Sequence, residues 1–225
     1  VHKIGGVVYS QCVPLLLYAY GSLQAVAFYG NYTLITNRLS GLLNSFLGST
    51  GASIGNLIAE GDEDKIMNVY WELLAIRFWV AGIFSFALYN LLPPFIRLWL
   101  GAEYLLSNDI LIFVILAFVL GIIRNVTDQY RAGYGLYADV WAPLIESIIS
   151  VVVAVVGGQY LGLKGVLLGG IVSTLIVIYI WHPYYLFKKG FSRPFFQYLS
   201  NFCRNTITLV CCYFLAAYVL HLIPI

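Results

Sequence analysis

Three arginines lie inside long apolar runs: Arg38, Arg77 and Arg124. A guanidinium carries five donors and stays charged, so at membrane depth it must hold an anion, reach water or find a partner. Arg77 lies about 11 residues into its run, roughly 16 Å at 1.5 Å per residue, too deep to snorkel easily. It is either an anion site facing a cavity or half of a buried pair with Glu72 or Glu146. Arg38 lies near a run end, where it snorkels to the interface or joins a cavity beside Asn37. Arg124, Asp128 and Arg131 are spaced four and three apart, which stacks them on one helix face. That ladder is either a structural ion network or a gate. Glu146, about seven residues into a later run, exchanges protons if it is desolvated and unpaired, or pairs with an arginine.

Other chemistry is not read from the chain. No serine elbow or other catalytic constellation is assigned, so a non-enzyme is expected. Asp62 and Asp64 belong to a solvated acidic loop, Glu60–Lys65. Cys12, Cys203, Cys211 and Cys212 show no CxxC spacing and read as small apolar packing residues. His2, His182 and His221 are scattered and form no metal site. The abundant tyrosines read as interfacial aromatics. No cofactor is expected. No basic run is interleaved with exposed aromatics, so nucleic acid is not an expected partner.

The elements that hold these groups must sit in lipid. The chain is 61% hydrophobic and 10% charged, against about 45–50% and 25% in soluble domains. A soluble protein of this length has no interior large enough to hide that much apolar side chain. The expected fold is all-α: a polytopic transmembrane bundle of about seven spans, each near 20 residues. The candidate spans are 4–21, 33–59, 66–92, 110–132, 139–160, 165–187 and 205–223. The third is expected to stop at Pro93–Pro94, and 95–109 to form an interfacial connection with Trp99 and Tyr104. The last is expected to touch lipid most. Gly165 and Gly169 form a GxxxG, a weak signal in membrane helices.

The second span is unusual. Asn37, Gly41, Asn44, Gly48, Gly51 and Gly55 recur at steps of three and four, which places them on one stripe. Ser45, Ser49, Ser53 and Asn56 lie beside it. A stripe this small and polar faces lipid badly. It belongs at a close helix contact or on a polar cavity wall.

Lysine and arginine set the orientation. Alternating the spans puts Lys3, Lys65, Arg131, Lys188, Lys189, Arg193 and Arg204 on one side and only Arg97 and Lys164 on the other. The first side is expected to be cytoplasmic, with the N-terminus inside and the C-terminus outside. The chain opens on Val1 and reads as a piece of a longer protein.

The run YGNYTLITNRLSGLLNSFLGSTGASIGNLIAEGDEDK, residues 29–65, resembles the bacterial polysaccharide-export flippases of the Wzx type. These belong to the MOP superfamily, with the MATE drug exporters. FIRLWLGAEYLLS (95–107), RAGYGLYADVWAPLIESI (131–148) and GLKGVLLGG (162–170) add to the resemblance in order. It implies a second lobe of six helices over 1–190, then a basic cytoplasmic segment and one extra helix over 191–225. The first lobe of the same polypeptide would be its partner. The implied activity is flipping undecaprenyl-pyrophosphate-linked oligosaccharide across the bacterial inner (plasma) membrane by alternating access. The alternatives are a MATE-type exporter of cationic drugs and a membrane-embedded enzyme of glycan assembly. The implied substrate-binding candidates are Asn37, Arg38, Asn44, Arg77 and Arg124. Asp128, Arg131 and Glu146 are candidates for coupling or gating. Relatives often carry a Thr-Asp pair in the first helix of this lobe. Gln11 and Cys12 stand in its place here, which puts ion coupling through that pair in doubt.

Overall fold

A computed structural model describes residues 13–48 and 50–222. His2, Lys3, Gln11, Cys12 and Ser49 lie outside the described residues, as does the side chain of His221. The fold is all-helical, with no strand among the described residues. In chain order the helices are α1 (13–20), α2 (Leu23–Gly48), α3 (Gly51–Glu60), α4 (Glu63–Trp99), α5 (Asn108–Ile123), α6 (Asn125–Gly133), α7 (Ala142–Leu161), α8 (Leu163–Thr174), α9 (His182–Lys189) and α10 (Phe196–Leu222). Leu175–Trp181, between α8 and α9, is wound as a π-helix. Five stretches are long and apolar enough to cross a membrane: α4, α5–α6, α7, α8–α9 and α10. The chain is therefore read as membrane-embedded.

Several boundaries differ from the sequence expectation. The span 33–59 is two helices, broken beside Thr50. Gly48, Thr50 and Gly51 are all poor helix formers. The Thr50 hydroxyl bonds back to the Leu47 carbonyl, and it also donates to Gln129 on α6. Residues 23–32, which fall between the first two expected spans, are the first turns of α2. Pro93 and Pro94 do not stop α4, which runs on to Trp99. Proline's fixed φ suits a helix, and only the carbonyls four residues back lose their donors. Ile96 beyond the prolines is fully buried, so packing holds the last turn. Beyond the Leu100 cap the chain turns away at Gly101, whose φ of 117° suits glycine.

Other ends are set as local chemistry dictates. Gly61 closes α3 with φ 78° and an N–H bond to Ile58. Asp62 caps α4 by accepting from the Lys65 N–H at 3.1 Å, and Glu63 and Asp64 sit in the first turn, where the helix dipole favours anions. Replacing Asp62 with Ala should cost about 1 kcal/mol, read as a small fall in melting temperature in detergent.

Glycine decides one contact. Gly162 turns the chain between α7 and α8 with φ 59°. The two helices then pack backbone to backbone: a Cβ on Gly157 would lie 2.8 Å from the Gly165 carbonyl, and a Cβ on Gly165 would overlap the Gly157 carbonyl. One turn on, a Cβ on Gly169 would press on the Ser150 carbonyl and the Ala154 methyl. The GxxxG of Gly165 and Gly169 is therefore a real close approach.

One end of the bundle is knitted by aromatic rings. Tyr70 meets Tyr130 at 5.1 Å and Phe191 at 5.2 Å, and Phe187 meets Phe191 at 5.1 Å, all edge-on. Tyr70, Tyr130, Tyr179 and Tyr198 are core residues, not the interfacial aromatics that abundance alone predicts. Arg193 reaches Asp64 at 2.8 Å across this end. The start of α4 and the loop after α9 thus lie together. The opposite end is joined by Lys164 with Asp109 and by the Tyr32 hydroxyl accepting from the Leu106 N–H. Along α10, from Phe196 to Val219, only Tyr198 is buried. Cys203, Cys211 and Cys212 are exposed on it, so they are not packing residues within this chain.

Candidate functional site

Two polar clusters lie within the apolar bundle. The first surrounds Arg77, on the inward face of α4 and only 2% exposed. Its Nη1 donates to Asn44 Oδ1 at 2.5 Å and to the Ile122 carbonyl at 3.5 Å; its Nη2 donates to Asn125 Oδ1 at 3.4 Å. Asn125 Oδ1 also accepts from Gln129, whose own oxygen accepts from Thr50. The network therefore joins α2, α4, α5 and α6 through amide and carbonyl oxygens. Neither Glu72 nor Glu146 pairs with Arg77, and no carboxylate among the described residues comes within 4.0 Å of it. The geometry thus excludes the buried pair. A whole positive charge is held here by neutral dipoles.

The small-residue stripe divides around this network. Asn44 turns inward to Arg77, and Gly48 approaches Gln129. Asn37, Arg38 and Gly41 are exposed, and a Cβ at Gly41, Gly51 or Gly55 would meet nothing within 4 Å. Asn37 and Arg38 therefore do not join Asn44 and Arg77 in one cluster. A stripe with a 3.5-residue period drifts around a 3.6-residue helix, and the break beside Thr50 turns it further.

The second cluster lines a cleft of about 540 Å³ between α6, α7 and the π-helix. Arg124 Nε bonds Asp128 at 3.1 Å, and Arg131 Nη1 stands 3.8 Å from the same carboxylate. These are the rungs that the four-and-three spacing predicts. Glu146 is on the far wall, accepting from the Thr174 hydroxyl at 3.4 Å and lying within ion-pair distance of no cation among the described residues. Outside the spans at this end, burial pushes the Tyr134 hydroxyl above its ordinary range, and the Glu63 carboxylate adds to the shift.

Sequence reasoning missed two members of this cluster. Asp139, only 3% exposed, accepts from Arg131 Nη2 through both oxygens at 2.6 Å and from the Trp181 indole at 3.2 Å. His182 Nδ1 lies 2.8 Å from Arg131 Nη1 and 3.3 Å from Asp128 Oδ1. Pro183 explains the local winding. Its ring cannot donate and crowds the Tyr179 carbonyl four residues back, and the turn before it widens to a π-helix. That winding sets Thr174, Ile178 and His182 together on the cleft wall.

Sequence reasoning also missed a pattern. Gly51-Ala52-Ser53-Ile54-Gly55 matches the G-x-S-x-G of hydrolase nucleophile elbows. The elbow needs a strand turning sharply into a helix, whereas Ser53 lies within α3 and there is no strand among the described residues. The match is therefore one of letters only. The described residues hold no group of three or more His, Cys, Asp or Glu placed to bind a metal.

No protein-family model matches this chain, nor does any curated protein or any solved structure.

Proposed function

We propose that this chain is the second lobe of a polytopic transporter that flips an undecaprenyl-pyrophosphate-linked oligosaccharide across a bacterial inner membrane, as the resemblance to Wzx-type flippases implies. One observation carries the reading: Arg77 is buried inside a span with no counter-charge among the described residues. Burying an unpaired charge is costly, and intramembrane charges of this kind mark ion or substrate paths. A pyrophosphate is the anion that such a charge suits. In this reading Asn44 holds Arg77 in the resting bundle and yields it when the lobes part. Arg124 offers a second cation at the cleft. The open face of α2 and α3 at Asn37, Gly41 and Gly51 then meets the first lobe of the same polypeptide. The full topology has about seven spans, with residues 1–190 as the lobe, 191–225 as the basic segment and added helix, the N-terminus inside and the C-terminus outside.

One observation favours the MATE-type alternative. Glu146 has no ion pair among the described residues and lines a cleft with other charged groups, which suits a cationic drug. The two readings part in one experiment. In the full-length protein, expressed in a flippase-deficient strain, Arg77→Ala should abolish surface glycan. Export is compared at matched protein level, because the variant also strands the acceptors on Asn44, Ile122 and Asn125. Unchanged export at normal protein level ends the flippase reading of Arg77. Loss of drug resistance in Glu146→Gln, with glycan export intact, selects the alternative.

A further inference from the structure

We propose that His182 is a proton-binding site that switches the closure of the cleft by exchanging Arg131 for Asp128 as its partner. The inference does not depend on what the protein transports. It begins from a hydrogen-bond conflict at one atom. Arginine can only donate, so with Arg131 Nη1 at 2.8 Å, His182 Nδ1 must accept. The ring is then neutral, with its proton on Nε2. Asp128 Oδ1 faces the same nitrogen at 3.3 Å and, as a carboxylate, can only accept. Nδ1 therefore stands between an obligate donor and an obligate acceptor. It can satisfy one of them at a time.

Adding a proton reverses the choice. The protonated Nδ1 donates to Asp128, and its contact with Arg131 becomes cation against cation. No long movement is needed, because both partners are already in reach. Arg131 has somewhere to go: Asp139 grips its Nη2 with both oxygens. Its buried Nε has no partner and so does not tether it in place. The surrounding charge accommodates the proton. Asp128 and Arg131 lie on α6, Arg124 at the α5–α6 junction, Asp139 on the loop before α7, and Glu146 on α7 across the cleft. Two arginines against three carboxylates leave one negative charge, which protonated His182 neutralises. The exchange breaks the ladder at its Arg131 rung and moves the tie between α9 and α6 from Arg131 to Asp128, about one turn along α6. The π-helix next to His182 has the loose winding to absorb a small rotation.

The test uses the whole chain in detergent micelles, where both ends meet water. Cys12, Cys203, Cys211 and Cys212 are replaced by Ser, and one cysteine is placed in the cleft by Tyr137→Cys. Its modification rate by a thiol reagent is divided by that of Ala102→Cys, exposed at the other end, to cancel the reagent's own pH dependence. The ratio should change several-fold between about pH 8 and about pH 5, the range of histidine titration. His182→Asn should flatten it. A flat parent profile, or a midpoint that survives His182→Asn, overturns the proposal. Should His182→Asn fail to fold, ring-nitrogen NMR decides on protein with His2 and His221 replaced by Gln. An unprotonated Nδ1 at about pH 8 that gains a proton by about pH 5 supports the switch. A proton already on Nδ1 at the upper pH, or no titration, sinks it.

Discussion

Asp139→Ala will destabilise the protein by about 3–5 kcal/mol, the cost of stranding a buried charge. Asp139 supplies both carboxylate oxygens to Arg131 and accepts from Trp181. Without it, Arg131 keeps only Asp128 at 3.8 Å and the lone pair of His182, and its Nε has no bond at all. Trp181 also loses its acceptor. Heating the purified protein in detergent and following the folded fraction by size exclusion reads the loss. Asp139→Asn should do less harm, because it keeps an acceptor but not the charge. The double change Arg131→Leu with Asp139→Leu should recover much of the loss, since a buried pair replaced by apolar groups is often neutral. If Asp139→Ala melts with the parent, the pair contributes nothing to the fold.

Gly165→Leu will prevent α7 and α8 from closing. The helices meet through bare backbone, and even a methyl at Gly165 would overlap the Gly157 carbonyl. Backbone cannot yield as a flexible side chain does, so the hairpin must open along Gly169 and Ala154 as well. The expected cost is about 3 kcal/mol or more, at the upper end of overpacking effects. The contrast is Gly41→Ala on α2, where a Cβ meets nothing within 4 Å. It should leave stability unchanged or raise it by about 0.5–1 kcal/mol, through the better helix propensity of alanine. Equal melting temperatures for Gly165→Leu and Gly41→Ala would show that the close crossing is not what holds α7 to α8.

Particular residues show what the sequence could and could not reveal. Apolar runs separated by glycine and acidic turns placed the middles of α4 to α10, because in lipid every spanning backbone must satisfy itself as a helix. However, α10 begins at Phe196 rather than 205 and takes in part of the expected basic segment. The spacing of Arg124, Asp128 and Arg131 set their ladder, since neighbours on one helix are fixed by its period. Gly165 and Gly169 were visible as a motif, but its weight came only from the carbonyl across the turn. Pro93 and Pro94 misled, because a helix boundary depends on what the following turn buries as well as on the missing donors. Asp139 and His182 were not legible. They meet Arg131 from 8 and 51 residues away, through a loop and a π turn that no local periodicity encodes. Arg77 was legible as an oddity. That its partners are amides was not, because sequence spacing cannot choose among four helices.

The amide setting of Arg77 has an electrical consequence. Asn44 and Asn125 orient dipoles toward the guanidinium but cancel none of its charge, whereas Arg131 and Asp139 travel together as a neutral unit. A unit charge carried through the full membrane potential exchanges about 2.3 kcal/mol per 100 mV. Any rearrangement that displaces α4 along the membrane normal therefore moves Arg77 through that field. An energised membrane will favour one position of the helix over another, and depolarisation will relax the bias.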